Sequence, residues 1–379
     1  MIKEIYIDNY RCLKDFTITL EQFQLWLGDN GTGKSTVLSA LTDIREFING
    51  KSENEVFSIH SLNARELEKD VVSFRISISD GDDIFLYKLD INISRNNLGP
   101  FIQYEGLSVN GNNVCELSIS NSLIVRIYVN ERGEKVEITP FSGSIIKHIR
   151  DIGELIPVIR FYKIISDLII VHPLPQLVTP DIELNSYRID GFSENFASWR
   201  NMIIEDNPSI ITKTNKALSG IIPFFKGLKA EKITRSIAML TSYEEKVEIK
   251  LYALFEENGN TIKFLIDQLS DGQIKLIVLY TLLEYVRGVK NCILLIDEPD
   301  NFISVREIDP WLKEAEDICA DGDQQIILVS HHPEIINNLV SRNERQFVFD
   351  KEGKIGVKTF TPVEGLTPSE TLARGWDNE

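Results

Sequence analysis

Cysteine is scarce in this chain, and its few copies do not pair. Cys12, Cys115, Cys292 and Cys319 are scattered, with no CxxC among them. That excludes a cysteine-built zinc site or disulfide framework and suits a reducing compartment. No apolar run approaches the roughly 18 residues that a membrane-spanning helix needs. Lys3 and Glu4 put a base and an acid into the first four residues, so no signal peptide is expected. The expectation is a cytoplasmic protein with no membrane partner. Heptads do not persist long enough for a coiled-coil arm, and there is no internal repeat or low-complexity tract. Positive charge is also in deficit: 40 Lys and Arg stand against 57 Asp and Glu, a net charge of −17. Such a field opposes nonspecific binding to nucleic acid without excluding a local basic patch.

One stretch could be that patch. Lys213, Lys216, Lys226, Lys229, Lys232 and Arg235 face only Glu231, with Phe224 and Phe225 among them. They could contact the phosphates of DNA or RNA. The alternative is a solvated helix face with a core pair of aromatics.

What is present is more specific. At 379 residues with 43% hydrophobic content, the chain can bury a large core in one or two domains. A short apolar strand, Phe23 to Leu27, leads into Gly28-Asp29-Asn30-Gly31-Thr32-Gly33-Lys34-Ser35-Thr36, and a helical pattern follows. Glycines let backbone N–H groups turn toward phosphate oxygens, and the helix N-terminus adds partial positive charge. In this pattern Lys34 reaches the β- and γ-phosphates of a nucleotide and Ser35 holds Mg²⁺.

Further on, Cys292 to Ile296 is apolar and ends in Asp297-Glu298. Such a run suits a strand buried on both faces of a parallel sheet, whose C-terminal end is where ligands sit. Asp297 would bind the metal through water, and Glu298 would orient or deprotonate the attacking water. Leu269-Ser270-Asp271-Gly272-Gln273 precedes a long apolar helical pattern, with Ser270 placed as the N-cap. A helix start offers free N–H donors to an anion. Another apolar strand, Ile326 to Val329, is followed by Ser330-His331-His332-Pro333-Glu334. His331 could donate to a γ-phosphate and sense its presence, with His332 the adjacent alternative.

From Ser35 to Ser270 the chain is far longer than a compact nucleotide core needs. Residues 70 to 140 alternate polar and apolar, with turns at Asp80-Gly81 and Asn110-Gly111, and predict antiparallel strands. Residues 141 to 235 predict mostly helix, interrupted by Pro173, Pro175 and Pro180. Strands return at Val247 to Phe255 and Thr261 to Ile266, around a turn at Asn258-Gly259-Asn260. The expected division is three consecutive segments: residues 1–140 with the phosphate loop and a β subdomain, 141–246 as a helical insertion, and 247–379 with the remaining motifs.

Taken in order, these motifs resemble those of ABC-type ATPases of the SMC/RecF/OLD group. The likeness is greatest to bacterial predicted ATPases with an SDG-type signature (Ser270-Asp271-Gly272), a DEPxN motif (Asp297-Glu298-Pro299-Asp300-Asn301) and an SH[SH]PE switch. Ile7-Asp8-Asn9-Tyr10-Arg11-Cys12-Leu13, the stretch from Asp190 to Ala197, and the ending from Ser369 to Trp376 are similar to segments of that family as well. The resemblance implies an α/β fold: an ABC-type P-loop ATPase head, a mixed sheet with an antiparallel β subdomain and a helical insertion. It implies ATP and Mg²⁺ as cofactors, with Arg11 near the nucleotide. It also implies a homodimer around two ATP, in which Ser270, Gly272 and Gln273 meet the partner's γ-phosphate and Asp300-Asn301 forms the D-loop. Three departures stand out. Ser304 replaces a frequent histidine, Asp271 replaces the second-position glycine of transporter signatures, and no glutamine stands at the expected Q-loop. Gln103 lies in the strand region and is assigned no role.

The function expected from the resemblance is an ATP-hydrolysing head that drives or gates a separately encoded effector, such as a nuclease or toxin, in antiviral defence. Only residues 332 to 379 follow His331, too few for the nuclease domain of OLD proteins. The alternatives are a RecF-like DNA-binding repair ATPase and a non-hydrolysing regulatory module. Guanine specificity is not expected, because Asn215-Lys216-Ala217-Leu218 lacks the aspartate that reads that base.

Overall fold

The computed structural model describes residues 1–374 apart from 58–69, 94–98, 120–122, 130–131, 137–142, 153–154, 184–187, 239–242, 340–344 and 350–352. Gly375 and Trp376, and the side chains of Arg235 and Glu334, therefore lie outside the described residues. The chain forms two compact units, each assembled from separated segments. The first takes Met1–Leu168, Asn291–Ile293 and Asn337–Glu379; the second takes Ile169–Lys290 and Leu294–Ile336.

The first unit is built on an antiparallel sheet. Its described strands include Ile2–Asp8, Val71–Asp80, Asp83–Ile93, Pro100–Val109 and Asn112–Ile119, each paired with the next. Alternation with period two puts one set of side chains inside. Val72, Phe74, Ile76, Ile78, Phe85, Tyr87, Leu89 and Ile91 are all 0% exposed. Phe161, on the helix Ile156–Ser166, stacks on Tyr87 with ring centroids 5.1 Å apart. The Asn110-Gly111 turn falls where the sequence predicts it, with Asn110 left-handed at φ 51°, as a tight hairpin turn demands. Gln103 lies on one of these strands and accepts from Asn92 Nδ2 at 3.3 Å. Elsewhere in the unit the strand Phe23–Leu27 pairs in parallel with Arg345–Phe349, and the helix Lys34–Ile48 follows it.

A buried acid ties this sheet to a helix. Glu105 is 0% exposed and accepts from Tyr87 Oη, Ser144 Oγ and the Ile145 N–H that opens the helix Ile145–Ile152. Burial outweighs these donors and lifts its carboxyl from 4.5 to about 7.

The second unit holds three neighbouring strands, Ile169–Val171, Ile293–Asp297 and Gln325–Val329, in that order. The first two run parallel, and the helix Val305–Asp321 crosses from the second to the third. The helix Asp271–Gly288 is buried on nearly all sides from Ile274 to Val286, as an all-round apolar sequence requires. A separate three-stranded antiparallel sheet comprises Phe225–Ala238, Tyr243–Glu257 and Asn260–Leu265.

Two expectations change here. The segment 141–246 is not a helical insertion: it contains helices, but also the strand Ile169–Val171 and the 14-residue strand Phe225–Ala238. The run Lys229-Ala230-Glu231-Lys232 reads locally as helix. Pairing with Tyr252-Leu251-Lys250-Ile249 overrides that preference. The division into three consecutive segments likewise gives way to two discontinuous units, because strands distant in sequence close each core.

Candidate functional site

In the first unit the loop Gly28 to Gly33 joins the strand Phe23–Leu27 to the helix Lys34–Ile48. Gly28 and Gly33 are left-handed, at φ 135° and 88°. A Cβ on Gly28 would lie 2.5 Å from the Phe347 carbonyl oxygen, and one on Gly33 would lie 2.9 Å from Leu13 Cδ2. At Gly28 the obstacle is backbone, so only glycine fits; at Gly33 it is a side-chain tip, and the left-handed φ is what favours glycine. Thr32 Oγ1 donates to Asp29 O at 2.8 Å and pins the loop. Lys34 is buried, and its Nζ donates to Gly28 O at 2.7 Å, Asp29 O at 2.8 Å and Thr32 Oγ1 at 3.2 Å. The ammonium is thus aimed into the loop. Asn30, Gly31 and Ser35 are exposed and Thr36 is half-buried.

The turn that carries Arg11 packs against this helix start. Tyr10 and Leu13 exchange backbone hydrogen bonds, and Cys12 Sγ lies 3.4 Å from Thr36 Oγ1. Arg11 is exposed and left-handed at φ 50°, its guanidinium 5.1 Å from the Tyr10 ring centroid. Tyr10 Oη donates to Asp43 Oδ2 at 2.6 Å, and burial raises the Asp43 carboxyl.

In the second unit the strand Ile293–Asp297 delivers Asp297 and Glu298 to its C-terminal end. The Glu298 N–H donates to Val329 O at 2.8 Å, and Asn301 Nδ2 donates to Glu298 Oε2 at 2.5 Å. Glu298 is left-handed, at φ 51°. His331 is exposed just past the neighbouring strand Gln325–Val329, while Ser330 is buried and its Oγ accepts from the His332 N–H at 3.0 Å.

Ser270 is the N-cap of the helix Asp271–Gly288. Its Oγ accepts from the Gln273 N–H at 3.3 Å, and Gln273 Oε1 accepts from the Ser270 N–H at 3.1 Å. This capping box engages the Gln273 side chain. A Cβ on Gly272 would lie 2.8 Å from Phe302 O, so the loop after Asn301 rests directly on the helix start. Asp271 accepts from Gln176 Nε2 at 2.5 Å. Ser304 begins the helix Val305–Asp321, with its N–H and Oγ both donating to Glu307.

Three residues of this cluster were not anticipated from sequence. His172 follows the strand Ile169–Val171, whose Val171 pairs with Ile296. That register sets the imidazole beside the carboxylates, Nδ1 3.9 Å from Asp297 Oδ2 and Nε2 3.7 Å from Glu298 Oε2. Gln176 is the second. The third is Lys275, which is 1% exposed and donates to Pro173 O and Glu298 O. Burial pushes its ammonium down to about 8, against the opposing pull of Asp300, Glu298 and Asp297.

Two cations of the basic stretch, Lys226 and Lys229, are paired with carboxylates. Lys226 pairs with Glu256, while Lys229 and Lys263 pair with Glu231. Phe225 is 2% exposed and Phe224 76%, so the aromatic pair divides between core and surface.

Residues 27–337 match the family described as "AAA domain, putative AbiEii toxin, Type IV TA system". The chain belongs to this family. No curated protein matches it. Among solved structures, an Smc head bound to the C-winged helix domain of ScpA aligns over 98% of this chain and 99% of its own, at 13% identity and a TM-score of 0.57. An SMC head domain from Thermotoga maritima aligns over 96% and 99% at 11% identity, TM-score 0.45. An Smc head bound to the C-terminal domain of ScpA derived from Pyrococcus furiosus aligns over 100% and 99% at 12% identity, TM-score 0.49. The first of these carries the fold assignment: the chain has the α/β fold of an Smc head.

Proposed function

We propose that the chain binds ATP with Mg²⁺, hydrolyses it, and through that cycle gates a separately encoded effector protein. One observation carries the reading. Glu298 is held in a left-handed turn at a buried strand end, with its N–H, carbonyl and carboxylate each bonded to a different segment. Left-handed backbone at a non-glycine residue costs about 1–3 kcal/mol and persists where the surroundings over-determine it, commonly at functional sites.

The residues fit the ligands. The glycine-lined loop aims a buried ammonium inward, which suits a polyphosphate. Ser35 and Asp297 would hold Mg²⁺. That is the donor set Mg²⁺ prefers, since it keeps waters and substrate phosphates as its other ligands. The ion, when bound, would neutralise phosphate oxygens.

The chain's own residues divide the remaining work. Lys34 offsets charge on the β- and γ-phosphates, and Asn30 to Thr36 supply backbone and hydroxyl donors. Glu298 takes a proton from the water that attacks the γ-phosphorus. The bond to the bridging oxygen breaks, ADP departs, and the proton passes to the released phosphate. Asn301 holds the Glu298 carboxylate in place, with His172 beside it. His331 donates to the γ-phosphate, and Arg11 lies near the nucleotide.

Ser270 keeps a hydroxyl proton to donate while its oxygen accepts from Gln273, and the Gly272 N–H lies in the first helical turn. Such a start suits the γ-phosphate held by a second copy, giving a homodimer around two ATP. The family description names a Type IV TA system, which suits a chain that works with a separately encoded partner; a toxin or nuclease as that effector, and a role in defence, belong to the proposal. Pairing of Lys226 and Lys229 with carboxylates weakens the alternative of a DNA-binding clamp.

Mass in solution tests the dimer. Glu298→Gln with ATP and Mg²⁺ should accumulate a species of twice the chain mass, and Lys34→Ala should remain monomeric. A Glu298→Gln protein that binds ATP and stays monomeric at every concentration would remove the second copy from the reading.

A further inference from the structure

We propose that Lys275 is a positioning residue for Glu298, tying the Ser270-capped helix to the turn that holds the carboxylate. The inference rests on the reading of Glu298 as the group that activates water. Lys275 lies in the second turn of the helix Asp271–Gly288 and is 1% exposed. Its neighbours from Ile274 to Leu279 are otherwise apolar and buried. Filling space there would call for another aliphatic residue, because desolvating an ammonium costs several kcal/mol before any partner is found.

Its bonds explain the cation. Nζ donates to Glu298 O at 2.9 Å and to Pro173 O at 2.8 Å. The first carbonyl belongs to the left-handed residue itself. The second belongs to the residue after His172. An ammonium has three donors, and the remaining charge is drawn mainly by Asp300, then by Glu298 and Asp297. Asp300 is 8% exposed, and its Oδ1 has no hydrogen-bond partner, so the nearby cation offsets a buried charge.

Three contacts thus fix Glu298. Val329 O holds its N–H, Asn301 holds its carboxylate, and Lys275 holds its carbonyl. Among the described residues, Lys275 is the one on the helix Asp271–Gly288 that does so. Because the same Nζ grips Pro173 O, a displacement of that helix start acts on Glu298 and on the His172 segment together.

The test uses the full-length chain with Mg²⁺-ATP in single-turnover hydrolysis, alongside affinity for a fluorescent ATP analogue and thermal melting. Lys275→Met should slow hydrolysis about 100-fold, the scale of a misplaced catalytic group, with analogue affinity unchanged within about threefold. Lys275→Arg, which keeps a cation with several donors, should recover most of the rate. In a Glu298→Gln background Lys275→Met should change the residual rate by less than about twofold, because the two act as one unit.

A Lys275→Met rate near wild type, with Glu298→Gln inactive, overturns this inference and leaves the Glu298 reading standing. A full additional loss in the Glu298→Gln background also overturns it, since the lysine would then act elsewhere. Should Lys275→Met not fold, Lys275→Gln takes its place, and failure of both neutral variants to fold assigns a purely structural role and rejects the proposal. A wild-type chain that binds the analogue and never hydrolyses ATP rejects both readings.

Discussion

The imidazole Nε2 of His172 stands 3.7 Å from Oε2 of Glu298, while its Nδ1 stands 3.9 Å from Oδ2 of Asp297. Both separations exceed a direct hydrogen bond. The ring thus lies beside both carboxylates without a direct hydrogen bond to either; the His172 N–H bond to Gly191 O at 2.6 Å holds its backbone, and Phe192 makes an edge contact with the imidazole. His172→Leu should lower ATP turnover by about tenfold or more, with nucleotide affinity little changed. His172→Gln, which keeps a polar neutral group, should lose less. Steady-state kinetics of the two variants check this, and equal turnover in His172→Leu and wild type would remove the residue from the machinery.

Glu105 sets a pH dependence of stability. Its carboxyl is raised from 4.5 to about 7 in the folded protein, so between those values the folded chain holds a proton that the unfolded chain has released. Stability is then greatest below the lower value and falls as pH rises through the upper one. The full effect is up to about 3 kcal/mol. Melting temperature measured from pH 5 to 8 should decline in wild type, and Glu105→Gln should flatten that part of the curve.

Gly272 is a packing position as well as part of the signature segment. A Cβ there meets Phe302 O at 2.8 Å, and two backbone segments cannot both yield cheaply. Gly272→Ala should destabilise by about 1–3 kcal/mol. Gly356→Ala, where a Cβ meets nothing within 4 Å, is the control and should melt like wild type.

Ser270 carries two separable roles. Ser270→Ala loses the capping bond from Gln273 and should cost about 1 kcal/mol. Ser270→Asp restores a capping oxygen but places a negative charge where a phosphate is proposed to sit. Melting should recover in Ser270→Asp while ATP turnover stays low. Recovery of both would leave the serine as a cap alone.

The parts legible in sequence are those whose information is local. The strand Phe23–Leu27, the glycine loop and the helix Lys34–Ile48 follow one another, and each declares itself by apolar spacing or glycine. The same holds for the Ser270 cap and the strand Ile293–Asp297. His172 was hidden because its strand is three residues long, too short to show a period, and lies in a stretch read as helix. Lys275 looks like a charged residue in an apolar helix, and only the folded chain brings Pro173 O and Glu298 O to it. The strand Phe225–Ala238 depends on pairing with Tyr243–Glu257, which local propensity does not contain.

Phosphate release from ATP by purified wild type, Lys34→Ala and Glu298→Gln is the most direct measurement of whether these residues form a hydrolytic machine. Wild type should turn over ATP in the presence of Mg²⁺, and Lys34→Ala should neither bind nor hydrolyse it. Glu298→Gln should bind ATP as wild type does and hydrolyse it about 100-fold more slowly or less. Turnover at the wild-type rate by Glu298→Gln would contradict the proposed chemistry.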